Sequence, residues 1–429
     1  MAKILILGGS FAGLTAALDL KRKLKDKADI TVISKTKNFV FIPSLIWVPF
    51  GWRKPEDISF EIKPMLEDRG INFIHAEATK IIPEKNQVET TAGTYDYDFL
   101  LIATGPDLNF SEVEGLGPHN GYTTSICTVD HALHAGKKWD EFIKDPGPIV
   151  IGATQKASCF GAAYEYVFNI EYAARKAGIK DKVSITFVTA EPFLGNFGIG
   201  GVGNSQKMTE FFFKKLGIRG ITNVAIEKIT EDKIYLSNGE VLPYKYAMII
   251  PPFLGVKAIR NSGIGNEAGF IPVDDTYKHV NYDNIYAAGV AVAIKYPEPT
   301  PIPIGVPKTG YMSEVMARVA ADNIASRVLE TNHAKKLKFE DIAPLCVMDA
   351  GNMGVLFIAS RVFRPRKYHI LFPGPWSHWI KVWFEKYYLW KMRNGYSQLP
   401  YQASCFIFLS CPLKYKLNAS DILIFFGAI

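Results

Sequence analysis

Cysteine is scarce in this chain: Cys127, Cys159, Cys346, Cys405 and Cys411 are the only five among 429 residues. None stand in CxxC spacing, so neither a disulfide-stapled scaffold nor a cysteine zinc site is expected, and no metal site is predicted. Long apolar runs are also missing. The longest candidates, around 406–409 and 422–429, fall far short of a spanning helix. The N-terminal apolar stretch lacks a basic n-region and a small-residue cleavage pattern before Gly8 and Gly9, so it reads as a buried strand and not as a secretory signal. Net charge is small, with 49 basic against 42 acidic residues giving +7. The excess is local: Arg361, Arg364, Arg366, Lys367, Lys381, Lys386, Lys391 and Arg393 face Glu385 alone between residues 361 and 400. At 48% hydrophobic and 21% charged the composition is that of a globular protein, long enough for two or three domains.

The opening KILILGGSFAGLTAALDL is a short apolar strand, a glycine turn and a helix, and ITVIS at 30–34 supplies a second strand. This is the pattern of a dinucleotide-binding βαβ unit. Gly8 and Gly13 occupy their places in GxGxxG, and Ser10 replaces the middle glycine while still allowing a pyrophosphate close to the helix N-terminus. No acidic residue closes the second strand; Ser34 and Lys35 stand there, so ribose binding must differ in detail. Residues 95–106, YDYDFLLIATGP, read as a strand ending in Ala103, Thr104 and Gly105, a turn common where the chain crosses a flavin in two-dinucleotide-domain proteins.

The plan repeats at PIVIGAT (148–154) and VSITFVTAEPF (183–193). The second turn, GATQKASCFG, carries Thr154 and Ala157 where a nicotinamide unit would place glycines, so tight NAD(P)H binding is not expected. Residues 273–293 resemble the strand returning to a flavin domain, with Val290 where Asp usually follows Gly289. A proline-rich loop then feeds a long helix over 300–329, whose start at Lys308, Thr309 and Gly310 would bring positive charge and backbone N–H groups to an electron-rich edge.

Near the C-terminus, Trp376, Trp379, Ile380, Trp383, Tyr387 and Trp390 recur at helical spacing, with Lys381, Lys386, Lys391 and Arg393 around them. Aromatic rings interleaved with basic side chains suit an interfacial helix on anionic headgroups, and a monotopic membrane attachment is the first reading. A helix packed on the protein's own core or on another subunit is the alternative; nucleic acid is disfavoured because no recognition module accompanies the charge. FIFL and ILIFF, after Tyr401, would deepen the anchor or form an irregular tail. Cys159 opens the second unit's helix, where the N-terminal partial charge should stabilise a thiolate, and Glu165 follows six residues on. Cys127 has His131 four residues later, on one helical face.

Together GGSFAG, LIATGP, SICTVDH, IGATQKASCFGAAYE, TPIPIGVPKTGYM, LCVMDAG and FEKYYLWKMRNG closely resemble the sulfide:quinone oxidoreductases of the two-dinucleotide-domain flavoproteins, over nearly the whole chain to about residue 396. The resemblance implies an α/β fold: two Rossmann-like domains in tandem followed by C-terminal amphipathic, membrane-associating helices. It implies domain boundaries at 1–107 and 266–330 for the FAD-binding part, 108–265 for the second Rossmann-like part, and 331–429 for the C-terminal domain. By the same resemblance, Cys159 and Cys346 form the redox pair, closed as a disulfide or bridged by extra sulfur. Cys346 would face the flavin and Cys159 carry the sulfane sulfur. Cys127 matches a position that in some relatives attaches covalently to FAD, and His131 and Glu165 match residues that move protons. A further family histidine is Asn196 here. FAD contacts are implied for Gly8, Ser10, Phe11, Ala12, Gly13, Ser34, Lys35, Ala78, Ala103, Thr104, Gly105, Gly289, Val290, Lys308, Thr309 and Gly310, and quinone contacts for Leu345 and Phe384, with Tyr387 and Tyr388 bordering them by proximity. Hydrosulfide, a membrane quinone, the bilayer and a homotrimer are the implied partners, and the outer face of the plasma membrane is the implied location.

Competing readings are a type II NADH:quinone oxidoreductase, the flavoprotein subunit of a flavocytochrome c sulfide dehydrogenase, and a non-catalytic flavin-binding membrane adaptor. The first needs a glycine-rich second turn and has no use for Cys159 and Cys346. The second would be expected to carry a signal peptide and lack the basic aromatic segment.

Overall fold

The computed structural model describes residues 1–331 and 333–397. Its first strand, β1 (Ala2–Leu7), is almost wholly buried, and helix α1 (Phe11–Leu24) returns over the sheet to β2 (Ala28–Ser34). Then come β3 (Asn72–His75) and β4 (Phe99–Ile102). The stretch 95–106 does not form one strand. Gly93–Asp96 belongs to a separate three-stranded antiparallel sheet, and the chain turns through buried Tyr97 and Asp98, whose carboxylate accepts the Lys3 N–H at 2.7 Å.

The middle of the chain gives α2 (Val129–Phe142), β5 (Ile149–Ala153), α3 (Phe160–Lys176), β6 (Ile185–Thr189), β7 (Ile218–Ile221) and β8 (Tyr246–Ile250). Strand β9 (Ile285–Ala287) re-enters the first sheet, whose order becomes β9-β4-β1-β2-β3, all parallel. The second sheet, β7-β6-β5-β8, is also all parallel. Two doubly wound units thus stand in one chain, as the repeated βαβ pattern predicts.

Helix α4 (Gly310–Val328) lies along α1, and buried alanines, Ala317, Ala320 and Ala321, allow close approach. The chain then forms an antiparallel sheet, β10 (Leu345–Asp349), β11 (Gly354–Ala359) and β12 (His369–Gly374), covered by the last described helix, α5 (Pro375–Arg393). Strand β10 also packs against α3 of the second unit. The FIFL and ILIFF segments lie outside the described residues. Among the described residues no helix is long and apolar enough to cross a membrane.

Candidate active site at the junction of the two nucleotide folds and the C-terminal sheet

Two helix N-termini meet at the end of the first sheet. Gly8 sits at φ +115°, and a Cβ there would lie 2.2 Å from the Ala103 carbonyl oxygen; a Cβ on Gly13 would lie 1.9 Å from the Gly8 carbonyl. Only glycine fits either place, which explains the spacing of the motif. Ser10 at the N-cap of α1 makes no side-chain cap, and no acidic residue stands in the first turn. The first N–H groups of α1 are therefore left for an anion. Gly310, at the start of α4, packs against the Phe11 ring, and Gly289 (φ +73°) packs against Ala12. Thr309 caps α4 by accepting the Met312 N–H at 3.4 Å. Lys308 is half-buried, donates to the Val292 carbonyl at 2.8 Å and has no carboxylate partner among the described residues, and burial pulls its ammonium down to about 7. Ser34 is buried at the end of β2 beside Gly9, whereas Lys35 is exposed and Ala78 half-buried beyond the sheet. An uncapped helix start, a glycine cradle and a half-buried lysine fit the diphosphate and electron-rich ring of a flavin dinucleotide.

The thiols lie on the C-terminal side of this cradle. Cys159 is the N-cap of α3, Cys346 the second residue of β10, and both, with Cys127, pack partly exposed against the main core. All three are free thiols. Burial pushes Cys159 up to about 12, with the neighbouring Cys127 and Glu165 adding to it, and the Ala162 N–H that the sulfur accepts offsets only part. The thiolate expected from the helix N-terminus is thus not favoured: desolvation outweighs one backbone donor. Burial also pushes Cys346 up to about 12, with Glu165 and Cys159 adding and Lys381 opposing. Burial raises Cys127 to about 11.

Glu165, nearly two turns further along α3, acts on both sulfurs. It is buried, pairs with the equally buried Lys381 of α5, and its Oε2 accepts the Asp349 N–H at 3.3 Å. Burial raises its carboxyl to about 7 despite the Lys381 charge and hydrogen bond, with Asp349 adding to the rise. Asp349, at the end of β10, accepts Trp47 Nε1 at 2.8 Å and the Gly351 N–H at 3.1 Å, and lies 2.6 Å from His378 Nδ1. Burial opposes its charge, but His378, Lys381 and Trp47 hold it below the usual carboxylate range. Lys381, Asp349, His378 and Trp47 are contributors that the sequence pattern did not single out.

Helix α5 resolves into two stripes. Trp376, Trp379, Trp383 and Trp390 are 68%, 64%, 58% and 48% exposed, while Ser377, Lys381, Glu385, Tyr388, Lys391 and Met392 are buried. The basic residues therefore do not all surround the aromatic face. Lys381 pairs with Glu165, Lys391 with Glu314 at 2.7 Å, Arg361 with Asp341 at 2.5 Å, and Arg366 donates to the Ile199 and Gly201 carbonyls at 2.8 and 2.5 Å. Arg364, Lys367, Lys386 and Arg393 remain exposed. Arg393 also donates to the Ser59 carbonyl at 3.0 Å, so internal carboxylates take three members of the basic cluster and backbone carbonyls engage two more.

Phe384 is half-buried beside Phe41, at 6.0 Å between ring centroids, and α5 lies over the strand carrying Leu345. Tyr387 is half-buried, stacked on Trp383 at 5.3 Å. Tyr388 is in the interior, among Phe11, Phe39 and Phe41, with its hydroxyl on Glu314. His131 stands elsewhere, in the first turn of α2, with His119, Asp130 and the Phe110 ring around it. Asn196 is buried and accepts the Gly198 N–H at 3.1 Å, a turn-forming contact.

A family profile described as pyridine nucleotide-disulphide oxidoreductase matches residues 2–317. A sulfide-quinone reductase of Aquifex aeolicus is 40% identical over 92% of this chain and 92% of its own length. A mitochondrial sulfide:quinone oxidoreductase of Dictyostelium discoideum is 29% identical over 67% of this chain and 65% of its own. The X-ray structure of the Aquifex aeolicus sulfide:quinone oxidoreductase superposes with a TM-score of 0.91 at 38% identity, covering 96% of both chains. With this likeness along almost the whole chain, it belongs to the pyridine nucleotide-disulphide oxidoreductase family and, within it, to the flavin-dependent sulfide-quinone reductases.

Proposed function

We propose that the chain oxidises hydrosulfide at a Cys159–Cys346 pair and delivers two electrons through FAD to a membrane quinone beside α5. The observation that carries this reading is Glu165, one buried carboxyl coupled to both sulfurs and tied to the C-terminal helix through Lys381.

In the oxidised enzyme the two cysteines are joined by a sulfur–sulfur bond. Hydrosulfide attacks Cys159 Sγ, the Cys159–Cys346 bond breaks, and Cys159 becomes a persulfide while Cys346 leaves as a thiolate. A thiolate whose conjugate thiol lies near 12 is a poor leaving group, so a proton donor is needed. Glu165, near 7, supplies that proton to the Cys346 sulfur, and Lys381 stabilises the carboxylate left behind. Bound flavin supplies the two-electron acceptor that lets the sulfur bridge re-form before quinone takes the electrons on. Gly8 to Gly13, Ala103 to Gly105, Gly289, Val290 and Lys308 to Gly310 would hold it, with Ser34, Lys35 and Ala78 towards the adenosine end. Cys127, coupled to Cys159, is the candidate for a covalent flavin link.

Leu345, Phe384 and Tyr387 would hold the quinone ring, with Tyr388 supporting Phe384 from behind. The exposed tryptophans would seat the protein on a bilayer as a peripheral, homotrimeric enzyme on the outer face of the plasma membrane.

The NADH reading is disfavoured by a contact in the second nucleotide turn. The Lys156 N–H donates to the Pro303 carbonyl at 2.6 Å and the Gly305 N–H to the Ala157 carbonyl at 2.8 Å, so the proline-rich loop covers the turn that a nicotinamide dinucleotide would need. The test is an anaerobic titration that follows the flavin absorption band. Sulfide alone should bleach it, with quinone restoring it, and Cys159→Ala and Cys346→Ala should each abolish bleaching while retaining flavin. Bleaching by NADH instead, or retained sulfide reduction in both variants, would refute the mechanism.

A further inference from the structure

Away from the thiols, three imidazoles and a carboxylate crowd the first turns of α2. His119, in the preceding loop, reaches across so that its Nε2 lies 2.7 Å from Asp130 Oδ2. One ligand atom from each of His119, Asp130 and His131 lies within 4.8 Å of the other two. The His131 and His134 rings are centred 5.8 and 5.3 Å from that of His119. Neither His131 Nδ1 nor His134 Nδ1, both enclosed, finds a hydrogen-bond partner among the described residues.

We propose that His119, Asp130 and His131 form a binding site for a divalent transition ion of the zinc class, with a fourth position left to water. Two imidazoles and a carboxylate are the borderline donor set that such an ion selects, and an exposed cluster gives it an entry path. Edge-on contact with Phe110, at 5.5 Å between centroids, steadies the His131 ring.

The expectation of no metal site rested on cysteine spacing. Asp130, His131 and His134 do carry a signal, since three donors fall on one helical turn, but His119 joins them only through the fold. An ion there would fasten the loop to the helix that begins just after Cys127.

The site is tested on the flavin-loaded, full-length protein, stripped with chelator and titrated with Zn²⁺ by calorimetry. One saturable site per chain is expected, retained in Cys346→Ala and weakened at least ~10-fold by His119→Ala and by Asp130→Asn. Both substituted residues are exposed, so the fold is not at risk. Absence of saturation up to ~1 mM, affinity unchanged in both ligand variants, or loss of binding in Cys346→Ala would each overturn the assignment.

Discussion

Lys381 and Glu165 form a buried ion pair that joins the C-terminal helix to the helix opened by Cys159. Breaking such a pair would leave an uncompensated charge in the interior, and Lys381 holds the Glu165 carboxyl lower than burial alone would. With Glu165 near 7 and acting as an acid, its protonated form dominates below that pH. The rate constant for sulfide-driven flavin reduction, expressed per hydrosulfide ion, should be highest below about 7 and fall above it. Glu165→Gln should lower the rate and flatten the profile. Lys381 lowers the carboxyl's pKa, so Lys381→Met should shift the falling limb to higher pH. Stopped-flow reduction across pH checks both; a limb unchanged in Glu165→Gln would remove Glu165 from the proton transfer.

Local patterns carried much of this architecture. Gly8 and Gly13 mark the cradle because backbone clashes forbid any other residue there, and such constraints are written in sequence at short range. The Cys159 protonation state was not legible, because a helix N-terminus is a local feature whereas desolvation depends on what the fold packs around it, including β10, almost two hundred residues away. Helix α5 shows the same limit. Its tryptophans and its Ser377, Lys381, Glu385, Tyr388 stripe both follow helical spacing, and nothing within the helix says that the charged stripe turns inward. The partners that decide it, Glu165 on α3 and Glu314 on α4, become neighbours only in the fold.

Glu314 is a second anchor. Lys391 and Tyr388 of α5, Arg318 of its own helix and Thr15 of α1 all reach its carboxylate. Burial opposes its charge, but Lys391 and Arg318 hold its carboxyl below the ordinary range. Lys391→Met would leave Glu314 short of a partner and should cost about 3–5 kcal/mol in denaturant unfolding. Tyr388→Phe, which removes one hydrogen bond, should cost about 1–3 kcal/mol. Lys391→Met together with Glu314→Gln should recover part of the first loss. Single-variant losses below ~0.5 kcal/mol would show that this carboxylate does not hold the helix in place.

The outward face of α5 makes a different demand. Four tryptophans between 48% and 68% exposed, with Ile370 and Phe372 of β12 also exposed at 46% and 39%, are more apolar surface than a monomer in water ordinarily leaves uncovered. Three cations of the basic cluster, Arg361, Lys381 and Lys391, are neutralised by internal carboxylates, so attachment should depend more on aromatic burial than on headgroup charge. Transfer of a large apolar side chain from water contributes about 1.5–3 kcal/mol when complete. Trp379→Ala with Trp383→Ala should therefore weaken sedimentation with neutral phosphatidylcholine vesicles at least ~10-fold, since both rings are more than half exposed. Added salt should weaken binding to anionic vesicles less than the double variant does, because Arg361, Lys381 and Lys391 already pair with internal carboxylates. Anaerobic flavin reduction by sulfide should be unchanged in the double variant, since both rings face outward and, among the described residues, meet other aromatic rings only at His378 and Tyr387, at 5.4 and 5.3 Å between centroids. Vesicle binding that survives the double variant and collapses with salt would show that Arg364, Lys367, Lys386 and Arg393, not the tryptophans, hold the protein on the bilayer.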